Sequence, residues 1–243
     1  MDITSKQVIE GCGAGLRLEL QALPGPMISI LATLKEELPS ALDYHNVGHT
    51  LDVLEQALCL ADLAQLSERE RELLVVAAIY HDAGFLRQNA LNEPIGAELA
   101  AEAMITTGGY TKHEIKIVKH MILDTTLLMN DCAQISNTEL SPYLLDADLS
   151  NLGRECFWEQ TKAVASEAGI AFCDFLPISL GLMQRHSWQS DVGYQLYEQQ
   201  KQQNIADLKL RLNQWLLGDP ASNSQMSIEF GGLVSDINVE GNH

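Results

Sequence analysis

The longest uninterrupted apolar segment of the chain ends at a histidine followed by an aspartate. Residues 73–80 (LLVVAAIY) are all uncharged, and His81 and Asp82 come directly after them. A helix that is apolar on every side is buried rather than amphipathic. An ionised aspartate carried into such surroundings is costly unless something compensates its charge. The pattern leaves two interpretations open: His81 and Asp82 bind a metal ion, or Asp82 reaches water at the helix end.

Helical periodicity continues along most of the chain. Two capping boxes open helices, one formed by Ser67 with Glu70 and the other by Thr111 with Glu114. No segment shows the alternation expected of a strand. Helices are predicted over residues 1–22, 26–38, 51–61, 67–84, 94–107, 111–122, 143–152, 154–168, 175–189 and 191–217. We therefore predict an all-α fold, a single helical bundle of about eight to ten helices.

The same pattern suggests how the chain is divided. Residues 1–39 are predicted to be an N-terminal helical extension packed on the main domain, which spans residues 40–218. Residues 219–243 are rich in serine, asparagine and glycine and are predicted to be a flexible tail. No internal repeat or second domain is apparent.

Charge and cysteine content restrict the classes of partner. The chain has 15 Lys and Arg against 33 Asp and Glu, a formal net charge of −18. Such a field repels nucleic acids and anionic membranes, so we expect neither as a partner, and it leaves homo-oligomerisation open. The five cysteines are scattered without a CxxC pair, which is typical of reduced thiols in a cytoplasmic protein. No apolar run reaches membrane-spanning length.

Two further segments carry residues able to bind a metal ion. His45 and His49 are four residues apart and would share a face if this segment were helical. Asp148 interrupts an apolar helical pattern, and Asp146 lies on another face of the same predicted helix. Nitrogen and oxygen ligands without sulfur favour a divalent ion such as Mn, Fe, Co, Mg or Zn.

The order of these residues resembles a known family. His49, His81 with Asp82, and Asp148 match the H…HD…D pattern of the HD-domain metal-dependent phosphohydrolases. The segment YHNVGHTLDV, residues 44–53, is similar to the YHNxxHxxDV signature of class I cyclic-nucleotide phosphodiesterases, which share this fold. Residues 147–151, ADLSN, are similar to a second phosphodiesterase segment. The resemblance covers residues 40–215.

The resemblance implies a role for each matching residue. His49, His81, Asp82 and Asp148 would be the metal ligands, and Asp82 would be the carboxylate able to bridge two metals. His45 matches the histidine that protonates the leaving oxygen. Weaker candidates for substrate contact lie in a segment that resembles a lid: Arg185, His186 and Lys201.

Departures from the family pattern leave the number of metals and the substrate open. Many relatives with two metals have a histidine near the position of Asn92, and the resemblance aligns a later histidine of that set with Thr125, so one or two divalent ions are expected. The implied function is hydrolysis of a phosphomonoester or phosphodiester of a small nucleotide-like substrate by metal-activated water. Two alternatives stay open: a di-iron oxygenase on the same fold, and a non-catalytic sensor that binds metal or nucleotide.

Overall fold

The computed structural model describes residue 20 and residues 23–88, 90–127 and 134–218. Within these residues there are nine α-helices and no strand, which confirms the all-α prediction. The helices are α1 (Gly25–Glu37), α2 (Val47–Leu63), α3 (Glu68–Tyr80), α4 (Asn92–Thr107), α5 (Lys112–Asp124), α6 (Ser141–Asp148), α7 (Phe157–Glu167), α8 (Phe172–Arg185) and α9 (Asp191–Gly218). Short 3₁₀ helices follow α3 and α6, at Ala83–Leu86 and Ser150–Gly153.

Helix α3 is the central element of the main hydrophobic core. It begins with the capping box predicted from Ser67 and Glu70, and every residue from 73 to 80 is buried. Helices α1, α2, α4, α5 and α6 all pack against it. The polar first turns of α3 reach the surface, so the helix delivers its C-terminal end, followed by His81 and Asp82, into the interior.

A smaller core joins α7, α8 and α9 to the turn after α6. Its buried side chains are Leu149, Leu152, Phe157, Leu176, Met183, Ile205, Leu208 and Leu212. Trp188 packs against both cores and links them. Among the described residues no single helix has the length and apolar composition needed to cross a membrane, and α7 with α8 meet that requirement only as a pair bent by 114°.

Several predicted helix ends were wrong. The helix predicted over residues 67–84 stops at Tyr80, and that predicted over 143–152 stops at Asp148, each continuing as a 3₁₀ turn. Helix α8 runs over Phe172–Arg185 instead of residues 175–189 because the backbone of His186 is already extended. Most of the helix predicted over residues 1–22, and the whole predicted tail, lie outside the described residues.

The loop at residues 186–190, between α8 and α9, is held from both sides. Asp146 of α6 accepts hydrogen bonds from the backbone N–H groups of Gln189 and Ser190 at 2.7 and 2.8 Å and from the Ser190 hydroxyl at 2.6 Å. Lys201 of α9 donates to the carbonyl of His186 at 2.6 Å. The sequence pattern assigns most of this loop to the end of α8. The structure shows instead a loop that is fixed by long-range polar contacts.

Two glycines allow the start of α4 to pack directly on the backbone that follows α3. A Cβ atom on Gly84 would lie 1.9 Å from the carbonyl oxygen of Asn92, and one on Gly96 would lie 2.5 Å from the carbonyl oxygen of Tyr80. Neither position has room for a side chain, because each contact is with backbone. This backbone-to-backbone packing fixes the course of the chain through His81 and Asp82.

Replacing Gly96 with alanine is expected to destabilise the protein although alanine favours a helix by about 1 kcal/mol. The new methyl group forces α4 away from α3, and overpacking of this kind costs about 1–3 kcal/mol. Gly181→Ala in α8 is the matched control, since the nearest group there is the flexible guanidinium of Arg185 at 3.3 Å. Urea unfolding of both variants measures the difference, and equal stabilities would contradict the packing argument.

Burial of His186 predicts a stability change with pH. Burial and the nearby Lys201 charge lower its pKa to about 3, whereas an unfolded histidine has a pKa of about 6.5. The unfolded state therefore binds the proton first, and stability is lost as the pH falls from about 6.5 towards 3. At pH 5 this single group should cost about 2 kcal/mol relative to pH 7.5.

The measurement is the free energy of unfolding in urea at pH 7.5 and pH 5, for the wild-type protein and His186→Gln. The variant lacks the titrating ring, so its loss of stability between the two pH values should be smaller. Identical losses in the two proteins would show that His186 is not the responsible group.

Candidate metal centre

Four of the predicted side chains converge from three helices. His49 lies in the first turn of α2, His81 and Asp82 follow α3, and Asp148 ends α6. The Nε2 atoms of His49 and His81 are 3.4 Å apart. Oδ2 of Asp82 lies 3.4 Å from the first and 3.1 Å from the second. Oδ1 of Asp148 lies 3.3 and 3.6 Å from the same two atoms.

These spacings fit a shared divalent cation. Ligand atoms bound to one ion at about 2.1 Å lie about 3.0 Å apart in octahedral and about 3.4 Å apart in tetrahedral coordination. Oδ2 of Asp82 is buried and has no hydrogen-bond partner despite its short distance to His81. One ligand atom from each of His49, His81 and Asp148 forms a compact group, and Oδ2 of Asp82 adjoins both imidazoles of that group. Imidazole and carboxylate ligands suit several divalent ions.

Local backbone structure orients the two histidines. Oδ1 of Asn46 caps α2 by accepting the N–H groups of Gly48 and His49 at 2.8 and 3.4 Å. Nδ1 of His81 donates to the carbonyl of Ala78 at 2.8 Å. In the neutral ring that bond keeps the proton on Nδ1, so that Nε2 is the nitrogen that faces the cluster without a proton, as a metal-binding histidine requires.

The cluster attracts positive charge. Burial lowers the pKa of His81, but the charges of Asp82 and Asp148 outweigh burial and raise that pKa to about 9. Burial raises the pKa of Asp82, but the neighbouring histidines, His81 first, outweigh it and hold the pKa well below its usual range. A cation entering the cluster would therefore compete with a proton for the same donors.

His45 lies beside the cluster and is oriented by a residue that the sequence analysis missed. It precedes α2, so it does not share a helix face with His49. Oε2 of Glu167, the last residue of α7, accepts the backbone N–H groups of Tyr44 and His45 at 2.8 and 3.0 Å. Oε1 of the same carboxylate binds Nδ1 of His45. The imidazole also stacks on Phe85, with ring centroids 4.6 Å apart.

The Glu167 carboxylate also changes the charge state of His45. Burial lowers the pKa of His45, but the hydrogen bond to Glu167 and the charge of Asp82 outweigh it and raise the pKa. The ring is 30% exposed, so it is open to a ligand. Glu167 lies 122 residues from His45 in the chain, and nothing in the periodicity of α7 distinguishes it from a solvated helix end.

Tyr44 and Asp52 are two further residues of the centre that sequence reasoning did not assign. The ring of Tyr44 contacts those of both His45 and His49, with centroids 4.9 and 4.4 Å away. Asp52 of α2 binds the guanidinium of Arg154 through two hydrogen bonds of 2.9 and 2.8 Å. This pair ties α2 to the segment that follows Asp148. Both residues stand in the YHNVGHTLDV segment, the only signal that could have singled them out.

Asp146 does not join the cluster. It is completely buried, and both of its oxygens accept hydrogen bonds from the 186–190 loop. Burial raises its pKa in spite of those bonds. Its role is to hold that loop against α6, two residues before Asp148.

The weaker candidates for substrate contact lie in a different environment. The buried Lys201 bonds the backbone of His186, and its ammonium lies 5.5 Å from the ring centroid of Trp188. Arg185 lies beside Gly181 at the end of α8. In the described part of the chain, no hydrogen bond or ion pair joins His186 or Lys201 to the four clustered side chains. Their role as phosphate contacts stays a prediction.

The described residues contain a single group of three or more potential ligands close enough to share an ion, namely His49, His81 and Asp148, with Asp82 beside it. Asn92 is buried near the turn after Asp82, and its Oδ1 has no partner. The hydroxyl of Thr125 donates to the carbonyl of Ile122. The number of divalent ions that the centre binds, one or two, stays a prediction.

Part of the chain matches a model of a known protein family. Residues 46–148 match the family model described as the HD domain. The matched range begins at the Asn46 cap and ends at Asp148, so it contains all four clustered side chains, while His45 immediately precedes it. No curated protein matches the chain.

Removal of a clustered side chain should release the metal. Asp82→Ala and His81→Ala are each expected to lower the metal content of the purified protein at least about tenfold, in line with loss of one of few ligands. Asp62→Ala removes an exposed carboxylate of α2 and should leave the content unchanged. Elemental analysis after loading with Mn or Zn makes the comparison. Equal metal content in all four proteins would place the ion elsewhere.

Proposed function

The chain carries an HD domain over residues 46–148, and on that premise we propose that it hydrolyses a phosphomonoester or phosphodiester of a small nucleotide-like substrate. The HD-domain family consists largely of metal-dependent phosphohydrolases, so the match supports a metal-dependent hydrolase in general. The observation that carries the finer proposal is the position of the His45–Glu167 pair beside the four clustered donors.

The clustered residues would hold the ion. His49, His81 and Asp148 supply two nitrogens and a carboxylate close together, and Asp82 adds a second carboxylate beside the two histidines. A divalent ion held there would supply positive charge for phosphoryl oxygens and make a coordinated water more acidic. The two carboxylates and a divalent ion sum to zero, which removes the local repulsion that a protein of charge −18 otherwise presents to a phosphate.

Two side chains are assigned catalytic roles. Oδ2 of Asp82 faces the two imidazoles of the cluster, so we assign Oδ1 of the same carboxylate to hold the attacking water. The water oxygen bonds to phosphorus and loses a proton to solvent, while the ester P–O bond breaks and His45 gives a proton to the departing oxygen. Glu167 binds Nδ1 of His45, which leaves Nε2 as the ring nitrogen for that transfer and stabilises the imidazolium before it.

A built-in proton donor favours esters over anhydrides. An alkoxide is a poor leaving group and needs protonation, whereas phosphate or pyrophosphate can depart as an anion. The nearby guanidinium of Arg154 is already paired with Asp52 through two hydrogen bonds. It is therefore not free to clamp a polyphosphate, which is the usual role of cationic side chains in phosphoryl transfer. Both features support a substrate with one phosphoryl group.

The test compares two leaving groups on one nucleotide. The metal-loaded protein is assayed with the 4-nitrophenyl ester and the methyl ester of thymidine 5′-phosphate. His45→Ala should lower kcat/KM for the methyl ester about 100-fold or more, because the lost proton transfer matters most for an alkoxide. The loss for the nitrophenyl ester should be much smaller. The kcat/KM of Glu167→Gln for the methyl ester should lie between those of the wild type and His45→Ala.

Controls separate the proton donor from other roles. Glu159→Gln removes an exposed carboxylate from the same helix as Glu167 and should leave both rates unchanged. Equal losses on both esters in His45→Ala would contradict the assigned role, and loss of metal would make His45 a ligand. Two irons per chain without ester hydrolysis would favour the oxygenase. A metal-loaded protein inert to both diesters and to the monoester thymidine 5′-phosphate would favour the sensor.

A further inference from the structure

A groove of about 300 Å³ lies between the end of α8 and one face of α9. The residues that matter most for its chemistry are His186, Trp188, Tyr194, Glu198, Lys201 and Lys209. None of the residues that line it belongs to the candidate metal centre or contacts it through a hydrogen bond or ion pair within the described part of the chain. The groove includes two of the residues that the sequence analysis considered for phosphate contact.

The Lys201 ammonium in this groove is buried with little compensation. Lys201 is 3% exposed, and an ammonium carries three donors. One bonds the carbonyl of His186 at 2.6 Å, while the nearest carboxylate oxygen, on Glu198, is 3.9 Å away. That carboxylate already accepts from Trp188 at 2.9 Å and from Gln202 at 2.6 Å. A buried charge with so few partners is costly, and an anion in the groove would offset that cost.

Two further groups are consistent with a bound anion in this groove. Nδ1 of His186 is buried in the groove wall without a hydrogen-bond partner, and such atoms call for a specific explanation. Lys209 is exposed at the groove and forms no ion pair in the described part of the chain. With two lysines and one glutamate the local charge is 2 − 1 = +1, on a protein of charge −18.

The size of the groove and the exposed ring of Tyr194 indicate what the uncharged part of the ligand is like. A volume of about 300 Å³ is at the lower end for small-molecule sites. Tyr194 lines the groove with 60% of its surface exposed, which offers a flat face to a ring. Trp188 is less available, because the Lys201 ammonium and the His186 ring lie against it. The groove therefore suits a single ring.

We propose that this groove is a second ligand site, separate from the metal centre, that binds a small organic anion with one planar ring. The carboxylate or phosphate group of the ligand lies between Lys201 and Lys209, and its ring lies against Tyr194. The site does not depend on the reaction at the metal centre.

The test follows the indole N–H of Trp188 by NMR, since that group donates to Glu198 at the groove. Its resonance is identified by its loss in Trp188→Phe, and the metal-loaded protein is titrated with benzoate, phenyl phosphate and neutral benzamide. Saturable shifts with benzoate or phenyl phosphate, and binding of benzamide at least about tenfold weaker, are expected from the local positive charge.

Variants locate the binding. Lys209→Gln should weaken binding of the anion several-fold, while Lys162→Gln, an exposed lysine of α7, should not. Asp82→Ala removes a metal ligand and should leave the groove unaffected. Absence of a saturable shift, equal binding of benzamide, or binding lost in Asp82→Ala but kept in Lys209→Gln would each overturn the proposal. None of these outcomes depends on whether the protein hydrolyses a phosphoester.

Discussion

Two carboxylates held in the interior beside two histidines are the constraint on which this structure depends. Asp82 and Asp148 are each only 14% exposed and approach the same pair of imidazole nitrogens. Two carboxylates that share a poorly solvated site repel each other. The cluster therefore persists only with added positive charge, whether from a proton or from a cation. The surrounding helices can be understood as the scaffold that maintains this unfavourable grouping.

That scaffold relies on packing that is rigid at its backbone. Helix α3 is buried over its last eight residues, and α4 approaches the following turn so closely that Gly84 and Gly96 have no room for a side chain. The pair formed by Asp52 and Arg154 then connects α2 to the segment after Asp148. Three helix ends that each carry a donor are thus held in register by contacts outside the cluster itself.

The second core contributes to the surroundings of His45, beside the centre. Helix α7 contributes nothing to the cluster of donors, but its last residue, Glu167, orients His45 and favours its charged form. Helices α8 and α9 hold the 186–190 loop against Asp146 and enclose a separate groove with a buried lysine. On a chain with a net charge of −18, the groove carries two lysines against one glutamate, whereas the centre would need a bound cation to offset its two carboxylates.

The sequence by itself determined the helical fold, the buried course of α3, both capping boxes and the ordered segments that resemble an HD domain. These features are encoded within a few turns, as apolar spacing and as cap residues three positions apart, or as short segments in a fixed order. Only the tertiary structure decided that Glu167 meets His45, that Asp146 holds a loop, and that Lys201 is buried. Those partners lie 122, 43 and 15 residues apart. A helical period states which face of each helix is buried but not which helix covers it, so contacts between helices appear only once the helices pack.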